Sequence, residues 1–148
     1  MERQERYDEK LVQILRSACG IFAERGFHNA SVRDVAAATG VSPAGLYYYF
    51  QSKEELLYLN MAQCLRSLLD EIRLRADLTE DPEERLRRIV RAHLSFLANH
   101  TQEIRVLSRE YEALSGTFRA EIRSLMREYL VGIMRCLREL SPQTGQKE

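Results

Sequence analysis

The thirty-one residues from Gly26 to Leu56, GFHNASVRDVAAATGVSPAGLYYYFQSKEEL, leave this chain few architectures to choose from. Ser31 stands where a helix N-cap belongs, and Val32, Val35 and Ala36 follow at helical spacing. Thr39-Gly40-Val41 interrupts that helix: Gly40 supplies backbone freedom and Val41 an apolar plug. Ser42 caps a further helix whose first position is Pro43, where the missing N–H has no helical partner to lose. Leu46 and Phe50, four apart, share its buried face. The spacing predicts helix over about 31 to 38 and about 43 to 50. Two short helices joined by three or four residues that include a glycine make a helix-turn-helix.

The rest of the chain reads as helix too, which makes the fold class all-α. Proline occurs only at 43, 82 and 142, each at a boundary, and no run alternates as a strand does. A first helix is expected over about 8 to 25, with Leu11, Leu15, Ala18 and Phe22 inward and Gly26 ending it in the left-handed conformation. Ser52 with Glu55 three later announces a long helix to about Arg75, whose seam is Met61, Leu65, Leu68 and Ile72. After a polar connection to Pro82, helices follow over about 83 to 99, 102 to 114 and 117 to 140. The last carries Phe118, Ile122, Leu125, Met126, Tyr129, Leu130, Ile133, Met134 and Leu137 over so wide an arc that it is expected to be central. Gly116 and Pro142 bracket it, and the residues after Ser141 are expected to fray.

Composition limits function more than it directs it. The 148 residues are 45% apolar and 30% charged, as in a folded soluble protein, and the formal net charge is zero. Through residue 55, seven Lys/Arg face eight Asp/Glu, so attraction to nucleic acid has to arise locally. Between Arg25 and Lys53 there are three cations against Asp34 alone. Cys19, Cys64 and Cys136 fall in apolar helical patterns without metal-ligand spacing and are expected to be buried thiols. The charged start lacks the apolar core of a signal peptide, and no apolar run reaches membrane-span length. The expectation is a cytoplasmic protein with no cofactor, metal or membrane partner. No nucleophile–base pair, phosphate loop or paired carboxylate has a suitable context, so an enzyme is not expected.

The chemistry of the second short helix suits DNA. Ala44 and Gly45 have almost no side chain, so backbone can approach base edges. Tyr47, Tyr48 and Tyr49 follow in a row, and a helix with one core side cannot bury all three; Tyr47 is the one expected to be partly buried. A tyrosine ring covers a thymine methyl or a sugar, and its hydroxyl reaches phosphate. Arg33 suits guanine or phosphate, and Lys53 suits phosphate.

Gly26-Phe27, Ser31-Val32, Val35-Ala36, Thr39-Gly40-Val41-Ser42, Gly45, Leu46-Tyr47-Tyr48-Tyr49-Phe50, Lys53 and Glu55-Leu56 together resemble the tetracycline-repressor (TetR) family of bacterial regulators. The resemblance implies that Ser31 and Arg33 flank the groove, and that Ser42, Pro43, Ala44 and Gly45 meet bases or backbone. It further implies that Tyr47, Tyr48, Tyr49 and Lys53 grip phosphates. It divides the chain into a DNA-binding head, 1–52, and a helical effector-binding and dimerisation bundle, 53–148. It implies a ligand-responsive transcriptional repressor, a homodimer released from a palindromic double-stranded operator by a small hydrophobic effector. Members of the family usually continue for two more long helices, so the chain is expected to be either a shortened member or a fragment. The neutral head keeps an alternative open: a helical interaction or lipid-carrying module of the same fold that has lost DNA binding.

In the bundle, Leu86, Val90, His93 and Leu97 form one stripe, expected to face inward. His93 there is either a core imidazole satisfied by a carbonyl or tyrosine hydroxyl, or a polar contact in an apolar pocket. Met61, Cys64, Tyr111, Met126 and Tyr129 are further ligand candidates or plain core. Arg105 and Arg109 share a helix face and hold either an anionic ligand or neighbouring glutamates. The pattern R-x-L-x-R-E-Y-E-A-L from Arg105 to Leu114 resembles a branch of the family whose effectors are acyl-CoA thioesters.

Overall fold

A computed structural model describes residues 1–141, and every regular element among them is helical. The order is α1 (Glu2–Arg25), α2 (Val32–Thr39), α3 (Pro43–Leu46), α4 (Lys53–Ala76), α5 (Pro82–Asn99), α6 (Thr101–Glu110), a 3-10 turn (Tyr111–Ala113) and α7 (Gly116–Leu140). Pro142 and the tail expected to fray lie outside the described residues.

Local chemistry sets most boundaries. Helix α1 begins at Glu2, about six residues before its expected start, because Glu, Arg and Gln are good helix formers and Glu2 and Glu5 complement its dipole. It ends at Gly26 with φ 80° and ψ 158°. That is extended chain at positive φ, not the expected left-handed turn, and side chains rarely tolerate it. Ser31 and Asp34 form a complete capping box: the Asp34 N–H donates to Ser31 Oγ at 3.2 Å, and the Asp34 carboxylate accepts the Ser31 N–H at 2.8 Å. Gly40 is left-handed (φ 66°, ψ 12°), as the turn requires. At α4, Ser52 Oγ accepts the Glu55 N–H at 3.0 Å, while the Glu55 carboxylate reaches the Gln51 N–H, so the box expected there closes one residue early.

Helix α3 is shorter than its spacing predicted. Its α-helical part stops at Leu46, about 6 Å long at 1.5 Å per residue. The Tyr48 and Tyr49 N–H groups then donate to Gly45 O (3.2 Å) and Leu46 O (2.9 Å), an i→i+3 tightening. Leu46 and Phe50 still point inward, completely buried.

One core runs through head and bundle. Phe22, Phe27, Val35, Leu46 and Phe50 pack with Leu56, Leu57 and Met61 of α4, Val106 of α6, Leu114, and Ile122 of α7. Cys64, Leu68 and Phe96 form a second cluster. The central helix is therefore α4, which buries residues along most of its length against α1, α5, α6 and α7. Helix α7 does not have the central place expected for it. It buries only Ile122 and Cys136, and Leu130, Val131, Met134 and Leu137 are 44–58% exposed. It packs along one side against α4 and α5, which leaves the remainder of its wide apolar arc uncovered among the described residues.

Candidate functional site

Most of the residues expected to meet DNA come to the outside of two adjoining short helices. Helices α2 and α3 pack against each other, and α2 against α1. Ser31, Arg33, Ser42, Pro43, Ala44, Tyr47 and Tyr48 are all exposed, Tyr47 by 49% and Tyr48 by 66%. The partly buried phenol is Tyr49, not Tyr47, because the tightened backbone after Leu46 swings Tyr49 back against α1. Gly45 is half-buried, and an added Cβ would meet Val41 Cγ1 at 3.0 Å and Ser42 Oγ at 3.2 Å. A side chain there would press on Val41 and Ser42, which would have to give by a few tenths of an ångström.

The serines differ. Ser31 Oγ donates to Asp34 at 2.7 Å while accepting the Asp34 N–H, so its hydrogen bonding is internal. Ser42 Oγ accepts the Gly45 N–H at 3.0 Å, and its hydroxyl proton remains to be donated. Since α3 is a single turn with that N–H occupied, the Ser42 and tyrosine hydroxyls are its main polar groups.

The charges also sort themselves. Hydrogen bonds from the Ser31 side chain and backbone, with Arg25 beside it at 2.9 Å, hold the Asp34 carboxyl below the usual carboxylate range. The one acid among these residues is thereby paired. Lys53, expected on phosphate, donates to Phe27 O at 2.8 Å and Ala30 O at 3.0 Å, with its ammonium 4.4 Å from the Phe27 ring centroid. It ties the segment before α2 to the start of α4. Arg33 has no ion pair among the described residues and is exposed.

The expected ligand residues do not converge. Met61 is buried in the main core, Met126 packs against it, and Cys64 belongs to the second cluster. Tyr111 is half-buried beneath Arg119, 5.6 Å from its ring centroid. Arg105 and Arg109 are exposed on α6. The inward stripe of α5 is Ile89, Ala92 and Phe96; Val90 is exposed and His93 sits at the stripe's edge. A one-residue shift of phase moved the expected face. His93 Nδ1 lies 3.0 Å from the Tyr129 hydroxyl with the rings stacked, so the imidazole is satisfied by tyrosine. Burial pushes the Tyr129 hydroxyl pKa up, keeping it neutral.

What the structure offers instead is a groove of about 1030 Å³ between the C-terminal half of α4, the 77–80 connection, the start of α5 and α7. Tyr129 is the expected ligand residue that lines it. Leu69, Ile72, Ile89 and Ile133 give it apolar walls, and Arg73, Arg85, Arg127 and Arg135 bring guanidinium groups. Arg73 pairs with Glu128, and Arg85 with Glu139 at 2.7 Å. Sequence reasoning missed these arginines because they read as solvated charge. The groove itself, though not its arginines, had one signal in Gly132, a helix-interior glycine where alanine would be favoured by about 1 kcal/mol and which lines the groove.

Near α3, the first turn of α4 also touches the start of α7. The Glu54 carboxylate accepts the Ser115 N–H (2.7 Å) and hydroxyl (2.8 Å), and Tyr58 bonds Glu121 and stacks on Phe118. Head and groove are thus joined through α4 and α7. Among the described residues no cluster of three His, Cys, Asp or Glu could hold a metal, and no helix is long and apolar enough to cross a membrane.

Comparison with known proteins matches residues 14–58 to the family described as bacterial regulatory proteins, tetR family, and residues 79–144 to the tetracyclin repressor-like C-terminal domain. The chain is 33% identical over 100 residues to the HTH-type transcriptional activator FasR of Mycolicibacterium smegmatis, covering 68% of this chain and 46% of that protein. It is 32% identical over 108 residues to the HTH-type transcriptional repressor KstR2 of Mycobacterium tuberculosis, covering 70% and 52%. Its fold is similar to that of AibR, solved in complex with isovaleryl coenzyme A and operator DNA, with TM-score 0.81 and 26% identity over 89% of this chain and 72% of that one. The chain spans about half the length of the curated relatives it matches.

Proposed function

The chain belongs to the tetR family of bacterial regulatory proteins, and from that premise we propose that it is a transcriptional regulator, held on a palindromic operator as a homodimer and released by a small hydrophobic effector. The head, residues 1–52, meets DNA through Arg33, Ser42, Pro43, Ala44, Gly45, Tyr47 and Tyr48. Ser31 and Lys53 act by bracing that surface, and Tyr49 by anchoring it. Two heads about 34–36 Å apart reach successive major grooves. Pro43 and Ala44 offer few donors, so much of the selectivity comes from DNA shape. The observation that carries this reading is the exposure of Tyr47 and Tyr48 beside Ser42, Pro43 and Ala44 on an outward face.

Residues 53–148 bind the effector and dimerise. The α4–α5–α7 groove suits an acyl-CoA: apolar walls for the chain, and guanidinium groups for the phosphates. AibR, bound to isovaleryl coenzyme A, supports that class of ligand. Occupation that repositions α7 reaches the head through Glu54–Ser115 and α4. The effector releases DNA only to the extent that it binds the DNA-incompetent arrangement better.

The test is fluorescence anisotropy of a duplex selected on the protein from a random pool, titrated with protein and then with acyl-CoAs of graded chain length. Tight, salt-sensitive binding reversed by one range of chain lengths supports the reading. Failure to select any duplex removes the DNA function, and binding indifferent to every acyl-CoA removes the effector class.

A further inference from the structure

Tyr7 is packed upon the reading surface although nothing above assigns it there. Its ring stacks on Tyr49, with centroids 5.0 Å apart and planes at 22°, and meets Tyr48 edge-on at 5.6 Å. Tyr48 and Tyr49 stand edge to face at 5.3 Å, so the three phenols close on one another. Tyr48 is the most exposed of the reading-turn phenols and sits on backbone that has left α-helical geometry. Its aromatic neighbours are Tyr7 and Tyr49.

The same side of α1 carries positive charge. At about 100° per residue, Arg3, Tyr7 and Lys10 fall within an arc of about 60°, and Glu2, Glu5 and Glu9 fall well away from it. Arg3 has no ion pair among the described residues, and the half-buried Lys10 has none either, its ammonium donating to Gln13 at 3.4 Å. The head's neutral formal charge therefore hides a partly segregated helix, whose cationic side adjoins the tyrosines, with Asp8 and Glu55 the acids nearest Tyr7. Burial, then the neighbouring Tyr48 and Tyr49 phenols and the Asp8 and Glu55 carboxylates, push the Tyr7 hydroxyl pKa up, so it adds no negative charge of its own beside a phosphate.

We propose that the first three turns of α1 belong to the DNA-contacting surface, with Tyr7 as the positioning residue that fixes the Tyr48 ring and Arg3 and Lys10 as added phosphate contacts. This rests on the DNA-binding reading above. Tyr7→Leu keeps helix propensity and apolar bulk but removes the stack, and Tyr7→Phe restores it. On the selected duplex, Tyr7→Leu binds ~3- to 10-fold more weakly, the worth of an aromatic pair, and Tyr7→Phe binds as the unaltered protein does. Without DNA, hydrogen–deuterium exchange at the Tyr48 and Tyr49 amides quickens in Tyr7→Leu alone, while circular dichroism shows α1 retained. Arg3→Gln with Lys10→Gln lowers the slope of log K against log salt by about 1.8, two phosphate contacts' worth. Equal binding and equal exchange in Tyr7→Leu overturn the positioning role, and an unchanged salt slope overturns the contacts. If the unaltered protein binds no duplex, the underlying reading and the two contacts fall together, and the exchange result still decides whether Tyr7 fixes Tyr48.

Discussion

Replacing Lys53 with methionine separates two roles that one ammonium can hardly serve together. The structure spends it on Phe27 O and Ala30 O, 2.8 and 3.0 Å away, and sets it over the Phe27 ring. Charge-assisted hydrogen bonds contribute about 1.5 kcal/mol each at the low end, and the cation–π contact about 0.5 kcal/mol. Against that gross ~3.5 kcal/mol stands the lysine rotamer entropy regained on removal, up to ~2 kcal/mol, for a net loss of about 1.5–3.5 kcal/mol. In a chain of this size that lowers Tm by roughly 3–14 °C. A phosphate contact would behave differently: Tm would hold, and the salt slope of DNA binding would fall by about 0.9. The account predicts a lower Tm in Lys53→Met with the salt slope preserved. Unchanged Tm with a slope reduced by about one refutes the bracing role.

Tyr48→Ala is expected to weaken binding to any duplex about tenfold, the worth of one hydrogen bond and ring contact, with Tm lowered only by the loss of its edge-on contacts to Tyr7 and Tyr49 because the side chain is largely exposed. Asp34 titrates lower in the fold than in the unfolded chain, so its contribution is complete above the unfolded pKa of about 3.9 and disappears as pH falls through the folded value. Asp34→Asn accordingly lowers stability at neutral pH and flattens the stability–pH curve below about pH 4, read by urea unfolding at stepped pH. An added Cβ at Gly132 meets nothing within 4 Å, and that position lines the groove. Gly132→Phe should therefore abolish release from DNA by acyl-CoA while leaving DNA binding and helical content intact, and retained release would place the effector elsewhere.

The helix-turn-helix was legible because short-range chemistry fixes it. Ser31, Gly40, Ser42 and Pro43 each act within four residues of themselves, and Leu46 and Phe50 need only one core side. The packing of Tyr49 and the carbonyl partners of Lys53 were not legible because those partners lie far along the chain. Tyr7 is forty-two residues before Tyr49, and Phe27 is twenty-six before Lys53. The bundle was harder still. Helices α5 and α7 have apolar arcs wide enough to allow several rotations, and packing on α4 chooses among them. Val90 consequently faces out where Ile89 and Ala92 face in. The groove arginines carried no local signal, since an arginine lining a cavity and one in solvent look alike until the helices are placed.

The most direct test of the account is hydroxyl-radical footprinting of the protein, free and saturated with its selected duplex, read tyrosine by tyrosine. Tyr47 and Tyr48 should lose reactivity on DNA binding, while Tyr111 and Tyr129 keep theirs. Unchanged reactivity at Tyr47 and Tyr48 in a sample shown to be fully bound would put the duplex on another face.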